Sequence, residues 1–269
     1  ISTHLTAGNM DNPIFLTSYE GREVLALDTG LKPQAFAQAK FGSLLSEHGA
    51  VFHADGSWEV WVPEGTLEHN GTVAIFGPAF KGKNLGFSIP GASCGEGASN
   101  TDSREAWQLY RHWLSLQSRI AEAEQRLDLS QSPMACLINQ VSGEALILPA
   151  HSFQRAMITH GDLLESLESW VHPALSSERA RVFTAALLAY RILTGTAPWV
   201  GTSGEEIRLR MREIRGLPAR LAHPGLLPEL TSLLDSALQG PDPKGGSNPL
   251  TRPSLEQFCE TMLSQALLE

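Results

Sequence analysis

The sequence predicts an α+β fold in two lobes, a small β-rich lobe carrying one helix followed by a larger, mainly helical one. Three observations predict it. Short strand-like runs separated by turn signals crowd the first third of the chain. A single stretch there has helical spacing. From about residue 103 onward the apolar residues recur at steps of three and four. No internal repeat and no charge run interrupts this order.

In chain order, Ile14-Phe15-Leu16 and Glu23-Val24-Leu25-Ala26-Leu27 read as strands joined across Tyr19-Glu20-Gly21, a hairpin signal. Ala37, Phe41, Leu44, Leu45 and His48 then fall on one helical stripe. Val51-Phe52-His53, the turn Asp55-Gly56 and Trp58 to Val62 predict a second hairpin. From about Glu68 to Asp102 the chain is rich in Gly, Asn and Ser, interrupted by Thr72-Val73-Ala74-Ile75-Phe76. It reads as an irregular or inserted connection with room for an extra strand or two.

Leu109, Trp113, Leu116, Ile120, Ala123 and Leu127 predict a long amphipathic helix. Cys136-Leu137-Ile138, the turn Val141-Ser142-Gly143 and Ala145 to Leu148 predict one more small hairpin. Val182 to Leu193 is apolar on nearly every face, so that helix belongs in the core. Two or three further helices follow, one over Glu229 to Leu238 and one over Ser254 to Leu268. The expected segments are therefore 1–67, a small lobe; 68–102, an inserted connection; and 103–269, a helical lobe.

The composition narrows function by exclusion. The 269 residues are 42% hydrophobic, enough for a two-lobed core. A formal net charge of −9 argues against a nucleic-acid binder or a binder of anionic membranes. No apolar run approaches the roughly 18–20 residues that span a bilayer, and Ile1-Ser2-Thr3-His4 is not a signal peptide. A start without Met suggests a domain excised from a longer protein. Cys94, Cys136 and Cys259 are widely spaced with no C-x-x-C, so neither a disulfide framework nor a zinc site is expected; a reducing, cytoplasmic setting is. The nine His residues include no metal-ligand pair at helical spacing.

The order of small motifs resembles the protein kinase family, particularly its bacterial serine/threonine branch, over nearly the whole chain. Val182 to Gly195, followed by Pro198-Trp199, resembles the central helix that the family writes DVWSLGVLLYELLTG followed by PF. Pro249-Leu250-Thr251-Arg252-Pro253-Ser254 resembles its P-x-x-R-P-S/T signature. Ile14-Phe15-Leu16 with Gly21 to Leu27 is similar to VYLA…GREVAIK, and Phe36 to Val51 to F-x-x-E…H-P-N-I-V. Val62-Pro63-Glu64-Gly65 resembles the entry to the hinge between lobes, and the hairpin at Leu137-Ile138 the strands that bracket the metal-binding turn.

The resemblance implies a set of catalytic positions, and this chain has lost their chemistry. Phosphoryl transfer needs the phosphates and Mg²⁺ held and a carboxylate to orient the accepting hydroxyl. The glycine-rich loop corresponds to Leu5 to Pro13, where only Gly8 survives, Asp11 would repel phosphate and Pro13 offers no N–H. The phosphate-gripping lysine falls at Leu27 and its glutamate partner at Ala39, with Lys40 facing elsewhere on the helix. With Pro133 fixing the register, the catalytic base falls at Ser130, the loop lysine at Ser132 and the metal-binding asparagine at Ala135. A serine hydroxyl is too weakly basic for that task. Asp128 is the one acid in the loop. The metal-binding turn falls at Pro149-Ala150-His151, where Pro and Ala have no side-chain oxygen for Mg²⁺ and His151 reads as a turn residue. His172-Pro173-Ala174 replaces the A-P-E of the activation segment, Arg181 the aspartate that begins the central helix and Ala186 its glycine. Arg252 then needs another acceptor, with Glu165, Glu168 and Glu178 as candidates.

The expected function is that of a catalytically inactive, pseudokinase-like module that binds a protein partner of unknown identity, with no ATP, Mg²⁺ or other cofactor. No nucleic acid and no membrane contact is expected. Phe76, Phe80, Phe87 and Ile89 make the 68–102 stretch a candidate docking loop, unless they pack onto the domain instead. Two other readings stay open: a divergent active phosphotransferase, and a small-molecule sensor using the cleft between lobes.

Overall fold

The computed structural model describes residues 14–38, 58–89, 102–124, 133–148, 175, 177–201, 204–238 and 253–265. The chain is α+β, with strands concentrated toward its N-terminus and helices toward its C-terminus. It divides into two compact units. One comprises Ile1–Asn84, Asp128–Ser130 and Ala135–Leu164; the other Leu85–Leu127, Gln131–Met134 and Glu165–Glu269.

Two sheets form the first unit. In the first sheet, β1 (Ile14–Tyr19) and β2 (Arg22–Asp28) are an antiparallel hairpin. Glu20 and Gly21 take φ of 49° and 80° at its tip, the left-handed pair that suits a two-residue turn between twisted strands. A short helix, α1 (Pro33–Gln38), follows; the rest of the expected helical stripe lies outside the described residues. β4 (Gly65–His69) and β5 (Thr72–Pro78) form a second hairpin with the same turn chemistry, Asn70 and Gly71 at φ 51° and 81°. The strand order is β1-β2-β5-β4.

The 65–78 hairpin supplies the extra strands for which the 68–102 stretch leaves room: residues 68–78 are regular sheet, and Val62 to Gly65 leads into a strand of the same sheet. There Glu64 N donates to Phe76 O at 2.7 Å. The signal was overlooked because β4 is an edge strand whose exposed and half-buried residues alternate, so it shows no apolar run.

β2 and β5 are central strands, and each buries a continuous run, Val24 to Leu27 and Val73 to Phe76. Strands covered on both faces read as unbroken apolar stretches. On one face, Val24, Ala26, Ala74 and Phe76 form a cluster flanked by Phe15, Tyr19 and Leu67. The rings of Phe15 and His69 lie 4.4 Å apart although they belong to opposite edge strands. Three flat strand spacings would separate them by about 14 Å, so the sheet curls over the small side chains of Ala26 and Ala74.

The second sheet has the order β3 (Trp58–Val60), β8 (Ala145–Ile147), β7 (Cys136–Ile138), β6 (Lys83–Asn84). β7 (Cys136–Ile138) and β8 (Ala145–Ile147) form the expected hairpin, and the two-residue strand β6 (Lys83–Asn84) pairs with β7. β3 (Trp58–Val60) pairs in parallel with β8. Trp58 to Val60 was expected in a hairpin with residues 51–53, which lie outside the described residues; its partner among those described is β8, far away in sequence. All three residues of β8 are buried, and a strand buried on both faces needs a neighbour on each side.

Helices build the second unit. α2 (Ser103–Glu124) buries Leu109, Trp113, Leu116 and Ile120 as expected, with Ala106, Trp107 and Tyr110 on the same side. In α3 (Ser177–Thr194) every residue from Ala180 to Ile192 is buried, which makes it the core helix. It packs against α2, α6 (Pro228–Ala237) and α7 (Leu255–Leu263). Pro228 at the first turn of α6 costs no hydrogen bond. Ser254 and Gln257 form a reciprocal capping box at the start of α7. Between α3 and α6 come α4 (Gly204–Glu213) and the single turn α5 (Ala219–Ala222). Among the described residues no helix is long and apolar enough to cross a membrane.

Burial sets the alkaline limit of stability. It pushes the Cys136 and Cys259 thiols up from 9.0 to about 12, and the Tyr190 hydroxyl from 10.0 to about 12. The unfolded chain therefore releases these protons first. The sign follows: their contribution is fully present below pH 9 and lost as pH rises from there toward 12. Urea midpoints should stay level from pH 7 to pH 8.5 on this account and fall through pH 10. A midpoint that rises over that alkaline range would contradict the assignment.

Candidate functional site

Leu27 marks the place where the family resemblance puts a phosphate-gripping lysine. It sits in β2 between Ile14 of β1 and Ile75 of β5, and is 1% exposed. On the same face, two residues back, Leu25 lies opposite Gly77. A Cβ on Gly77 would stand 2.6 Å from Val62 O and 2.9 Å from the indole nitrogen of Trp61. The Trp61 indole therefore packs on the face that carries Leu25 and Leu27, and only glycine leaves it room.

Trp61 joins the two sheets of the first unit. Its backbone N donates to Ile147 O at 2.9 Å, which extends the β3–β8 ladder. Its Nε1 donates to Pro78 O at 3.3 Å, at the end of β5. The ring is 1% exposed. One side chain thus fixes the second sheet against the first, on the side where Leu27 lies. The sequence reading placed Trp61 in a strand and gave it no further role.

Pro133 opens a 3₁₀ turn, Pro133–Ala135, and is buried. Ala135, where the resemblance puts a metal-binding asparagine, is wholly buried, and its carbonyl accepts from Leu148 N at 2.8 Å to close the β7–β8 hairpin. Its methyl group offers no donor or acceptor. Gly8, Asp11, Pro13, Ala39, Lys40, Asp128, Ser130, Ser132, Pro149, Ala150 and His151 lie outside the described residues. Among the described residues no three His, Cys, Asp or Glu side chains are grouped to hold a metal ion.

Arg181 is 3% exposed, one turn into α3. Its Nη1 donates to Gln117 Oε1 at 3.0 Å, and Gln117 Nε2 donates to Trp113 O at 3.1 Å, so the guanidinium ties α3 to α2. Ala186 is fully buried in the same helix. Glu178 Oε1 accepts from Leu255 N at 3.4 Å, which puts its carboxylate at the N-terminus of α7. Arg252, Glu165, Glu168 and His172 to Ala174 lie outside the described residues.

The docking-loop reading of 68–102 fails for two of its anchors. Phe76 belongs to the core of the first sheet and Ile89 is fully buried in the second unit. Phe76 packs inward because it lies on the central strand β5. Phe80 is half-buried.

A different surface was missed. Leu209, Ile214, Leu217 and Leu221 are 45% to 62% exposed along α4, α5 and the chain between them. Arg212, Arg215 and Arg220 are exposed in the same stretch, with no ion pair among the described residues. The alternation of apolar residues with Arg was visible in the sequence. It reads as an ordinary amphipathic helix until burial shows that these apolar residues point outward.

By class, then, the chain is an α+β protein with a two-sheet unit joined through Trp61 and a helical unit organised around α3. Neither a protein-family model nor a curated protein matches the sequence.

Proposed function

We propose that this chain is a catalytically inactive, protein kinase-like domain that serves as a regulatory or scaffolding protein-binding module, without binding ATP or Mg²⁺. The observation that carries this reading is Leu27. A residue expected to meet phosphate is an apolar side chain packed in a sheet on the same face as Trp61. Electrostatic stabilisation of a transferring phosphoryl group requires donors or cations at such a point, and a leucine supplies neither. Ala135 supports the same conclusion, since its side chain is a methyl group and its carbonyl accepts from Leu148 N.

Arg181 supports the reading from the second unit. In place of an acid at the start of the central helix, a buried arginine bonded to Gln117 serves packing between helices. The apolar frame is kept while the charged set is replaced, which suits a fold retained for its surface.

A thermal-shift titration with ATP, ADP and GTP, each with and without Mg²⁺, tests this. A ligand that binds only the folded state raises Tm progressively above its Kd. The expected result is no shift at millimolar nucleotide. A metal-dependent rise would overturn the inactive reading and favour a divergent phosphotransferase.

A further inference from the structure

The stretch from Glu205 to Leu221 holds five arginines against three glutamates in a chain whose formal net charge is −9. Glu206 holds Arg210 at 2.7 Å. Arg212, Arg215 and Arg220 have no ion pair among the described residues. Between and around them, Leu209, Ile214, Leu217 and Leu221 turn outward.

The backbone under this surface is pinned. Trp199 Nε1 donates to Ile214 O at 3.0 Å, and Leu217 N donates to Pro198 O at 2.8 Å. Tyr190 OH, from the core helix, donates to Leu217 O at 2.9 Å, and Ala219 N donates to Asp235 Oδ1 at 2.9 Å. Gly216 lies so close to the Pro198-Trp199 pair that a Cβ there would stand 2.9 Å from Pro198 Cβ. The outward side chains are therefore presented by a fixed frame, which lowers the entropy cost of binding through them. Exposed apolar side chains that follow one another along a fixed stretch and alternate with charge suit an interaction site.

We propose that this surface docks an acidic, apolar segment of a partner protein, with Asp or Glu side chains placed between Leu, Ile or Phe. The proposal deepens the protein-binding reading above and rests on it. Charge complementarity selects the occupant: unpaired guanidinium groups take carboxylates in bidentate pairs, and Leu209, Ile214, Leu217 and Leu221 require apolar partners. A nucleic-acid strand would leave those four side chains without a complement, and between Glu205 and Leu221 the sequence has no Phe, Tyr or Trp for bases to stack on. An anionic membrane presents charge over a whole plane and would meet Glu205 and Glu213 as well as the arginines, whereas a segment can set its few carboxylates beside Arg212, Arg215 and Arg220 alone.

Selection of a random peptide library displayed on phage against the full chain tests the proposal. The recovered peptides are then measured by fluorescence anisotropy against three proteins: the parent chain, the charge variant Arg212→Glu/Arg215→Glu/Arg220→Glu, and the apolar variant Leu209→Ser/Leu221→Ser. All five substitutions are at exposed side chains, so both variants should melt with the parent. The expected result is acidic, apolar peptides whose affinity falls about tenfold or more in each variant, and falls with added salt for the parent.

Peptides without acidic enrichment, or binding unchanged by both variants, overturn the proposal. So does failure to recover binders. Binding of phosphatidylserine vesicles or an oligonucleotide that the charge variant abolishes, without peptide binding, would reassign the surface. A dimer of the parent that the variants dissociate would reassign it to a second copy of this chain. The nucleotide titration separates the two proposals: nucleotide binding removes the inactive reading and leaves the docking result standing, and the reverse holds equally.

Discussion

Replacing Trp61 by alanine should destabilise the protein by about 3–5 kcal/mol, the range for truncating a large buried aromatic side chain. The indole is 1% exposed, and it carries both the packing on Gly77 and the hydrogen bond to Pro78 O. Urea unfolding followed by circular dichroism should show the loss as a lower midpoint. Gly77→Ala should cost about 1–3 kcal/mol by overpacking, because its new Cβ would meet Val62 O as well as the ring. In the Trp61→Ala/Gly77→Ala double variant part of that clash disappears, so the two effects should be less than additive. Additive effects, or a loss below about 1 kcal/mol for Trp61→Ala, would mean that Trp61 does not join the sheets.

Leu27→Lys, which restores the residue type that the family resemblance expects, should destabilise the chain by about 4 kcal/mol or more and confer no nucleotide binding. A fully buried lysine loses roughly three units of pKa, at about 1.4 kcal/mol per unit. The sequence places Ala39, not a carboxylate, where a partner would be expected. The unfolded variant holds a proton that the folded variant cannot, so its deficit relative to the parent should be full near neutral pH. It should shrink as pH approaches the ordinary lysine value of about 10.4. Midpoints of parent and variant compared at several pH values measure this. A small, pH-independent deficit would show that the new ammonium reaches water, and a nucleotide-dependent rise in Tm would show that residue 27 borders an open site.

Much of the fold is legible from local pattern. The β1–β2 hairpin follows from strand-like runs on either side of Glu20-Gly21, whose left-handed φ values the turn requires. The helix around Leu109 to Ile120 follows from its spacing, and the burial of α3 from the apolar run between Val182 and Ile192. The helix after Ser254 follows from its periodicity, and the capping box explains why it starts there. Asn70-Gly71 carried an equally good signal that was read as part of an irregular stretch, since the edge strand before it is half polar. At the candidate site, residue identity alone shows that positions 27 and 135 carry apolar side chains. It could not show that Leu27 shares a sheet face with the Trp61 indole, nor that Arg181 bonds to Gln117.

What the sequence determined by itself is therefore the identity of many of the elements and the α+β class. Turn geometry, capping and apolar periodicity act over a few residues, so they can be read without the rest of the chain. Tertiary structure alone decided that β3 runs parallel to β8, that β5 lies between β2 and β4, and that Leu209, Ile214, Leu217 and Leu221 face outward. These are choices among partners distant in sequence. A strand or an apolar stripe states that it needs a neighbour, but which surface meets it depends on the packing of every other element at once.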